Sequence, residues 1–201
     1  MSMITLRRTG ALLGSAGLLA SMTVATVAAP AAAGKCEPFT GSFPADPADC
    51  YYATEPIDGI EFGIIGLDRV PVGGLTVPAG VTLNGSDERS ESDFVYQVDG
   101  TYNGGGGLDR VAIVTGTFNG GPGLDIADTV EAGATFTGGG GTDHVVDLYG
   151  TFYAGGGGDY VSRLHDGTFY GGGGYDRVFS SDETGTCYSV EWVDYVEGAD
   201  C

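Results

Sequence analysis

Positive charge is scarce in this chain of 201 residues: 8 lysines and arginines stand against 27 aspartates and glutamates, for a formal net charge of −19. That balance argues against nucleic acid and anionic membranes as partners, because Coulomb repulsion opposes both, and it favours cations. Histidine occurs only as His144 and His165. The sequence holds no HExxH, no GxSxG and no paired Cys/His arrangement, so no enzymatic role is expected. None of the four cysteines belongs to a C-x-x-C unit with histidine nearby, which argues against a zinc site. Helical periodicity is missing throughout the chain beyond its first 33 residues.

Those first 33 residues read as an export signal. Arg7 and Arg8 form a positive n-region, an Ala/Leu/Val-rich stretch runs from Ala11 to Ala29, and Ala31-Ala32-Ala33 supplies the small residues of a cleavage site. Removing the segment takes the charge from −19 to −21, since it holds two arginines and no acid. Paired arginines hint at twin-arginine export, but Leu6 and Gly10 fit that motif poorly, so the Sec route stays open. The mature chain is expected to be secreted, with no membrane span. In an oxidising compartment four cysteines point to disulfides. They fall as two pairs, Cys36 with Cys50 and Cys187 with Cys201, each 14 residues apart. Local pairing would close a loop at each end of the domain; the other two connectivities remain open on sequence alone.

Glycine is abundant, at 38 residues, and it is ordered into a repeat. Between Thr101 and Val178 five copies of one module appear: TYNGGGGLD, TFNGGPGLD, TFTGGGGTD, TFYAGGGGD and TFYGGGGYD. Their aspartates are Asp109, Asp125, Asp143, Asp159 and Asp176, spaced 16, 18, 16 and 17 residues apart, whereas Thr to Asp is 8 residues in every copy. A constant module with a variable connector is what stacked coils require. A degenerate copy opens at Thr82-Leu83-Asn84-Gly85-Ser86, with its aspartate delayed to Asp93, and Gly66-Leu67-Asp68-Arg69-Val70 reads as a weaker one still.

Apolar residues keep the same register. The second residue after each aspartate is Val111, Ala127, Val145, Val161 or Val178. Three further on come Val114, Val130, Leu148 and Leu164, with Ser181 breaking the series. The module aromatics are Tyr102, Phe118, Phe136, Phe152 and Phe169. Side chains alternate across a strand, so an inward aromatic places the module threonine and the residue after the aromatic outward. One coil cannot bury its own apolar face, so several must stack. The expected fold is all-β, a parallel β-roll or β-helix solenoid of about 16–18 residues per coil with disulfide-closed caps. The corresponding organisation is a signal peptide over 1–33, an N-terminal cap over 34–81, the repeats over 82–181 and a C-terminal cap over 182–201.

The turns carry the chemistry. Glycine tolerates positive φ, so a glycine-rich turn can aim several carbonyl oxygens at one point. Pro122 takes the third slot of its turn, where the others have Gly106, Gly140, Gly156 and Gly173, so that slot need not donate an N–H. Carbonyls with a carboxylate make a hard, irregular oxygen environment that suits Ca²⁺ better than the stricter octahedron of Mg²⁺. GGGGLDRVA, GGPGLDIAD, GGGGTDHVV and GGGGYDRVF, with AGGGGDYVS slightly worn by Ala154, resemble the GGxGxDxUx nonapeptide of the RTX, or hemolysin-type, calcium-binding repeat family. That resemblance implies calcium held between turns stacked one coil apart. Its ligands would come from Gly105, Gly107 and Asp109; Gly121, Gly123 and Asp125; Gly139, Gly141 and Asp143; Gly155, Gly157 and Asp159; and Gly172, Gly174 and Asp176. The family usually carries two nonapeptides per coil. Here the second half-turn shrinks to segments such as VTGT, LYGT and HDGT, so ions are expected on one edge only, with Asp99, Asp147 and Asp166 as solvated charges or weak extra ligands on the other.

Two alternatives belong beside this reading. In one, the glycine turns shape a solenoid without metal. In the other, the outward array of Thr101/Asn103, Thr117/Asn119, Thr135/Thr137, Thr151/Tyr153 and Thr168/Tyr170 resembles the ice-binding faces of some antifreeze β-solenoids. The tyrosine-bearing end of the same array also suits a glycan, cell-surface or matrix partner.

Overall fold

The structure, a computed structural model, describes residues 36–44, 50–65, 68–86, 92–182, 184–193 and 201, with the side chains of 60–72 excepted. The segment 1–33, read from sequence as an export signal, lies outside the described residues. Among the described residues there is no helix, so none long and apolar enough to cross a membrane.

The chain winds as a parallel β-solenoid with two sheets. The first sheet has nine strands in the order Glu37–Pro38, Cys50–Tyr52, Thr82–Asn84, Thr101–Asn103, Thr117–Gly123, Thr135–Gly141, Thr151–Gly157, Thr168–Gly174 and Thr186–Tyr188. Each neighbouring pair is parallel, and module aligns with module: Thr117 faces Thr135, Phe118 faces Phe136, Gly121 faces Gly139. The second sheet is built from the segments after the aspartates, such as Arg110–Val114, Ile126–Val130, His144–Leu148 and Tyr160–Leu164. Its register is equally strict, with Ala127 facing Val111 on one side and Val145 on the other.

The core lies between the sheets and consists of ladders. Tyr102, Phe118, Phe136, Phe152 and Phe169 are wholly buried, their rings stacked at 5.4, 4.6, 4.7 and 5.1 Å between centroids. Burying one such ring contributes roughly 2–3 kcal/mol, and each aromatic pair about 1 kcal/mol more. Opposite them, Val111, Ala127, Val145, Val161 and Val178 form one ladder and Val114, Val130, Leu148 and Leu164 another. Ser181 does align with Leu164, through an isolated bridge, and ends that series.

Both disulfides pair locally, Cys36 with Cys50 and Cys187 with Cys201. Cys187 joins the core ladder, in register with Phe169, whereas Cys50 stands in register with the outward Thr82 and its neighbour Tyr51 meets Leu83 in the core. Phe39 and Phe43 close the upstream end by packing on Tyr51. The Thr82 copy is a true coil, since Thr82–Asn84 pairs with Thr101–Asn103 and Leu83 is fully buried. The segment around Asp68 is not one. Strand Asp68–Gly74 folds back antiparallel on Asp58–Ile65, and a hairpin return leaves no coil for the aspartate to close.

Candidate metal centre

Each coil turns from the first sheet to the second through its glycine run, and the run's slots do different work. In the second slot Gly121 has φ 113°, and a Cβ there would lie 2.1 Å from the Gly105 carbonyl oxygen of the preceding coil. In the fourth slot Gly141 has φ 131° and its Cβ would lie 1.7 Å from the Gly123 carbonyl oxygen. Gly105, Gly139, Gly155 and Gly172 repeat the second-slot conformation, and Gly107, Gly157 and Gly174 the fourth. Gly123, after Pro122, lacks positive φ, yet its Cβ would sit 1.7 Å from the Gly107 carbonyl oxygen. The fourth-slot carbonyls form a column of acceptors: Gly107 receives the Leu124 amide at 3.0 Å and Gly123 the Thr142 amide at 3.2 Å. The third slot is open at Gly140, which is why a proline fits at 122.

The aspartates that end these turns do not face solvent. Asp109, Asp125, Asp143, Asp159 and Asp176 are 0–1% exposed and form a continuous ladder. Oδ1 of each accepts the backbone amide of the aspartate one coil upstream: Asp125 from Asp109 at 3.0 Å, Asp143 from Asp125 at 2.9 Å, Asp159 from Asp143 at 2.7 Å and Asp176 from Asp159 at 2.9 Å. Asp93 extends the ladder upstream, holding the Ile57 amide through Oδ1 and the Ser86 amide through Oδ2. Glu191 ends it downstream by accepting the Asp176 amide at 2.7 Å.

The remaining oxygen decides what the ladder can do. Oδ2 of Asp109, Asp125, Asp143, Asp159 and Asp176 is buried and has no hydrogen-bond partner. In Asp109, Asp125, Asp143 and Asp176 it lies beside the first-slot glycine of its own turn. A Cβ on Gly104 would lie 2.2 Å from Asp109 Oδ2 and 2.8 Å from the carbonyl oxygen of Gly120 in the next coil. Gly138 repeats this with Asp143 Oδ2 at 2.2 Å and the Ala154 carbonyl at 2.7 Å, and Gly171 with Asp176 Oδ2 at 2.5 Å and the Ser189 carbonyl at 2.2 Å. A small cradle of carboxylate and carbonyl oxygen thus recurs along the turn edge.

Burial shapes the protonation of this ladder. Loss of hydration pushes Asp109 up to about 7 and Asp143 to about 7, and pushes Asp159 up to about 6. Asp125 rises furthest, to about 8, from burial first and then from the charges of Asp109 and Asp143 on either side. Asp176 is raised as well, chiefly by burial. An unpartnered buried carboxylate oxygen is costly, so each Oδ2 calls for a proton or a cation. The donor set fits Ca²⁺: one carboxylate oxygen per coil, with carbonyl oxygens of the turns beside it. Among the described residues no three His, Cys, Asp or Glu side chains converge on a metal-sized point, so any ion here relies on backbone carbonyls.

All fifteen residues expected from the sequence therefore lie on one edge, and the five aspartates come together in a single column. Missing from that expectation were the first-slot glycines Gly104, Gly120, Gly138 and Gly171, which make room for Oδ2, and Glu191. The first-slot signal was present in the motif, where Ala154 is the sole replacement. Glu191 follows Asp176 by 15 residues, just under the repeat spacing.

The opposite edge is not a site of this kind. Asp147, expected there, instead stands in strand His144–Leu148 of the second sheet, where it pairs with Arg163 and with His165, whose Nε2 lies 3.1 Å away, and the Arg163 hydrogen bond holds its pKa low. Asp99 accepts from Gln97 and Thr115, and Asp166 from Thr184. His144 is half-buried against Tyr160 with ring centroids 4.1 Å apart, and burial lowers its pKa to about 4.

No family model matches this chain, and comparison with curated proteins and with solved structures likewise finds no match.

Proposed function

We propose that this protein is an exported calcium-binding solenoid of the RTX type, which folds or is stabilised when Ca²⁺ occupies its stacked glycine–aspartate turns, and which serves a structural or surface-interaction role rather than an enzymatic one. The observation that carries the reading is the column of five buried Asp Oδ2 atoms without partners, four of them beside a first-slot glycine. A bound Ca²⁺ supplies positive charge to that column. The chain's own groups do the rest: Oδ1 fixes each carboxylate to the coil above, first-slot glycine leaves space beside Oδ2, and second- and fourth-slot glycines let the carbonyls stack. Because the apo ladder gathers like charge inside the fold, binding and folding are coupled. Extracellular calcium modules bind at Kd of about 10⁻⁴–10⁻³ M, which would keep the chain loosely folded before export and order it outside.

Far-UV circular dichroism of the disulfide-intact mature protein, titrated with CaCl₂ after EGTA treatment, tests this. A cooperative gain of β signal that equal Mg²⁺ does not reproduce supports it. A spectrum already folded in EGTA, with no heat of calcium binding, overturns it. The ice-binding alternative is weaker, because Tyr153, Tyr170 and Tyr188 interrupt the small polar column it needs.

A further inference from the structure

The outward face of the first sheet carries no charged side chain in its two columns, although the chain as a whole stands at −19. One column is threonine in seven consecutive strands, from Thr82 to Thr186. The other begins at Tyr52, continues through three asparagines and Thr137, and ends in Tyr153, Tyr170 and Tyr188. The outer face of the second sheet differs, since it bears the Arg110–Asp128 and Arg163–Asp147 pairs.

Both ends of the second column are fixed before any partner arrives. Asn103 Nδ2 donates to Asn84 Oδ1 at 2.7 Å and Asn119 Nδ2 to Asn103 Oδ1 at 2.8 Å, which sets the amides in one orientation. The rings of Tyr153, Tyr170 and Tyr188 stack at 4.8 and 4.9 Å, each pair within 12° of parallel, while remaining 46, 36 and 52% exposed. Their faces cover one another, so they offer ring edges and hydroxyls outward rather than a stacking platform. Binding to such a surface orders few side chains, which removes a usual cost of association, and rigid tyrosines with hydrogen-bonding neighbours are a common composition for recognition surfaces.

Charge selects the occupant. Polyanions are repelled by the molecule as a whole, and so is a second copy bringing another −19. A cationic partner would gain more on the acidic remainder of the surface. A neutral, repetitive, hydroxyl-rich polymer loses nothing here and meets hydroxyls and amides at every coil. We propose that this face docks a neutral, extended polysaccharide, its chain running along the solenoid axis across the strands. The proposal is independent of the calcium reading, because it is assayed on protein kept in CaCl₂ and shown by circular dichroism to be folded.

The test is retention of the mature protein on microcrystalline cellulose and on chitin, with a heparin resin as anionic control. Compared with it are Tyr153→Thr/Tyr170→Thr/Tyr188→Thr, which continues the Thr137 rung, and Arg163→Gln on the other sheet. Expected is retention on at least one neutral polysaccharide, insensitive to salt, at least tenfold weaker in the tyrosine variant and unchanged in Arg163→Gln. Should the triple variant not fold, Tyr170→Thr alone carries the comparison. Folded protein that binds neither polysaccharide, or a folded tyrosine variant that binds equally well, overturns the proposal. Thermal hysteresis abolished by Thr135→Val/Thr151→Val would overturn it too, by assigning the face to ice.

Discussion

Replacing Asp125 with asparagine separates a calcium ladder from a purely structural one, because the two demand opposite signs from the same variant. Asparagine keeps Oδ1, the atom that receives the Asp109 amide at 3.0 Å, and changes only the orphaned oxygen. Without metal, the native state holds Asp125 at about 8 against 3.8 in the open chain. At an assay pH of about 7.5 this costs about 1.4 kcal/mol per pH unit above the unfolded value, on the order of 5 kcal/mol in all. An ordinary domain has about 5–15 kcal/mol of total stability, so this one carboxyl is a severe load on the metal-free fold. The Asp125→Asn change would lift it, and even half of the gain, roughly 2–3 kcal/mol, raises the melting temperature by roughly 5–10 °C in a chain of this size. In calcium the order reverses. Each site weakened beyond use forfeits about 1.4 kcal/mol of ligand stabilisation at tenfold Kd, and Asp125 lies between two neighbouring rungs. The assay is far-UV thermal melting of Asp125→Asn and the parent, once in EGTA and once in CaCl₂. The variant should be the more ordered protein in EGTA and the less stabilised one in calcium. If it gains nothing in EGTA and keeps the parent's full calcium shift, the ladder neither stores charge nor binds the ion.

The pH dependence of the metal-free protein follows from the same groups. Folded values raised to between about 6 and about 8 mean stability that is fully present below the unfolded value of 3.8 and lost as pH climbs through the folded values, so in EGTA melting temperatures should fall from about pH 4 to pH 8, whereas the calcium-induced increment should grow over that window as protons leave the ladder. Gly139→Ala introduces a Cβ 2.3 Å from the Gly121 carbonyl at φ 113° and should abolish the cooperative calcium response, while Gly140→Ala, in open space, should leave both spectrum and midpoint unchanged. Ala154 places a methyl group where the other turns have a first-slot glycine beside Oδ2, so Ala154→Gly should add binding capacity or tighten the weakest step in calorimetry. Cys187→Ser removes the core rung stacked on Phe169 together with its disulfide and should lower the melting temperature in calcium by several degrees, since a loop of this size contributes about 3 kcal/mol.

Most of the fold was legible because each coil repeats its instructions. An aromatic at a fixed distance from Thr, an apolar residue two positions after Asp and a constant Thr-to-Asp interval leave one register in which both of these sets are inside, and Phe118, Phe136 and Val145 occupy it. The Asp68 segment misled for the opposite reason. A single Gly-Leu-Asp-Arg-Val string without the preceding Thr-aromatic pair has local turn chemistry but no strand to stack, and its surroundings form a hairpin. For the candidate site, the column of aspartates was legible and the aim of their oxygens was not. Spacing placed the aspartates in one column but could not show that Oδ1 is spent on an upstream amide, leaving Oδ2 as the free oxygen. That division depends on where the backbone N–H of the neighbouring coil falls. It also hid the first-slot glycines, whose role is to make space rather than to donate a carbonyl.

The choice of aspartate is itself informative. A ladder needed only to tie coil to coil is served by asparagine, whose Oδ1 takes the same amide and whose Nδ2–H can donate to the nearby carbonyl, Gly120 in the case of the Asp109 rung. The chain does build an asparagine ladder on its outer face, where the side-chain amides of Asn84, Asn103 and Asn119 bond one to the next. On the buried edge it uses an acid at every rung from Asp109 to Asp176. An acid there adds a lone pair, a buried charge and raised pKa values, all of which weaken the metal-free fold. Five acids in succession in a position where an amide would hold the coils more cheaply favour a side chain kept for what binds its second oxygen.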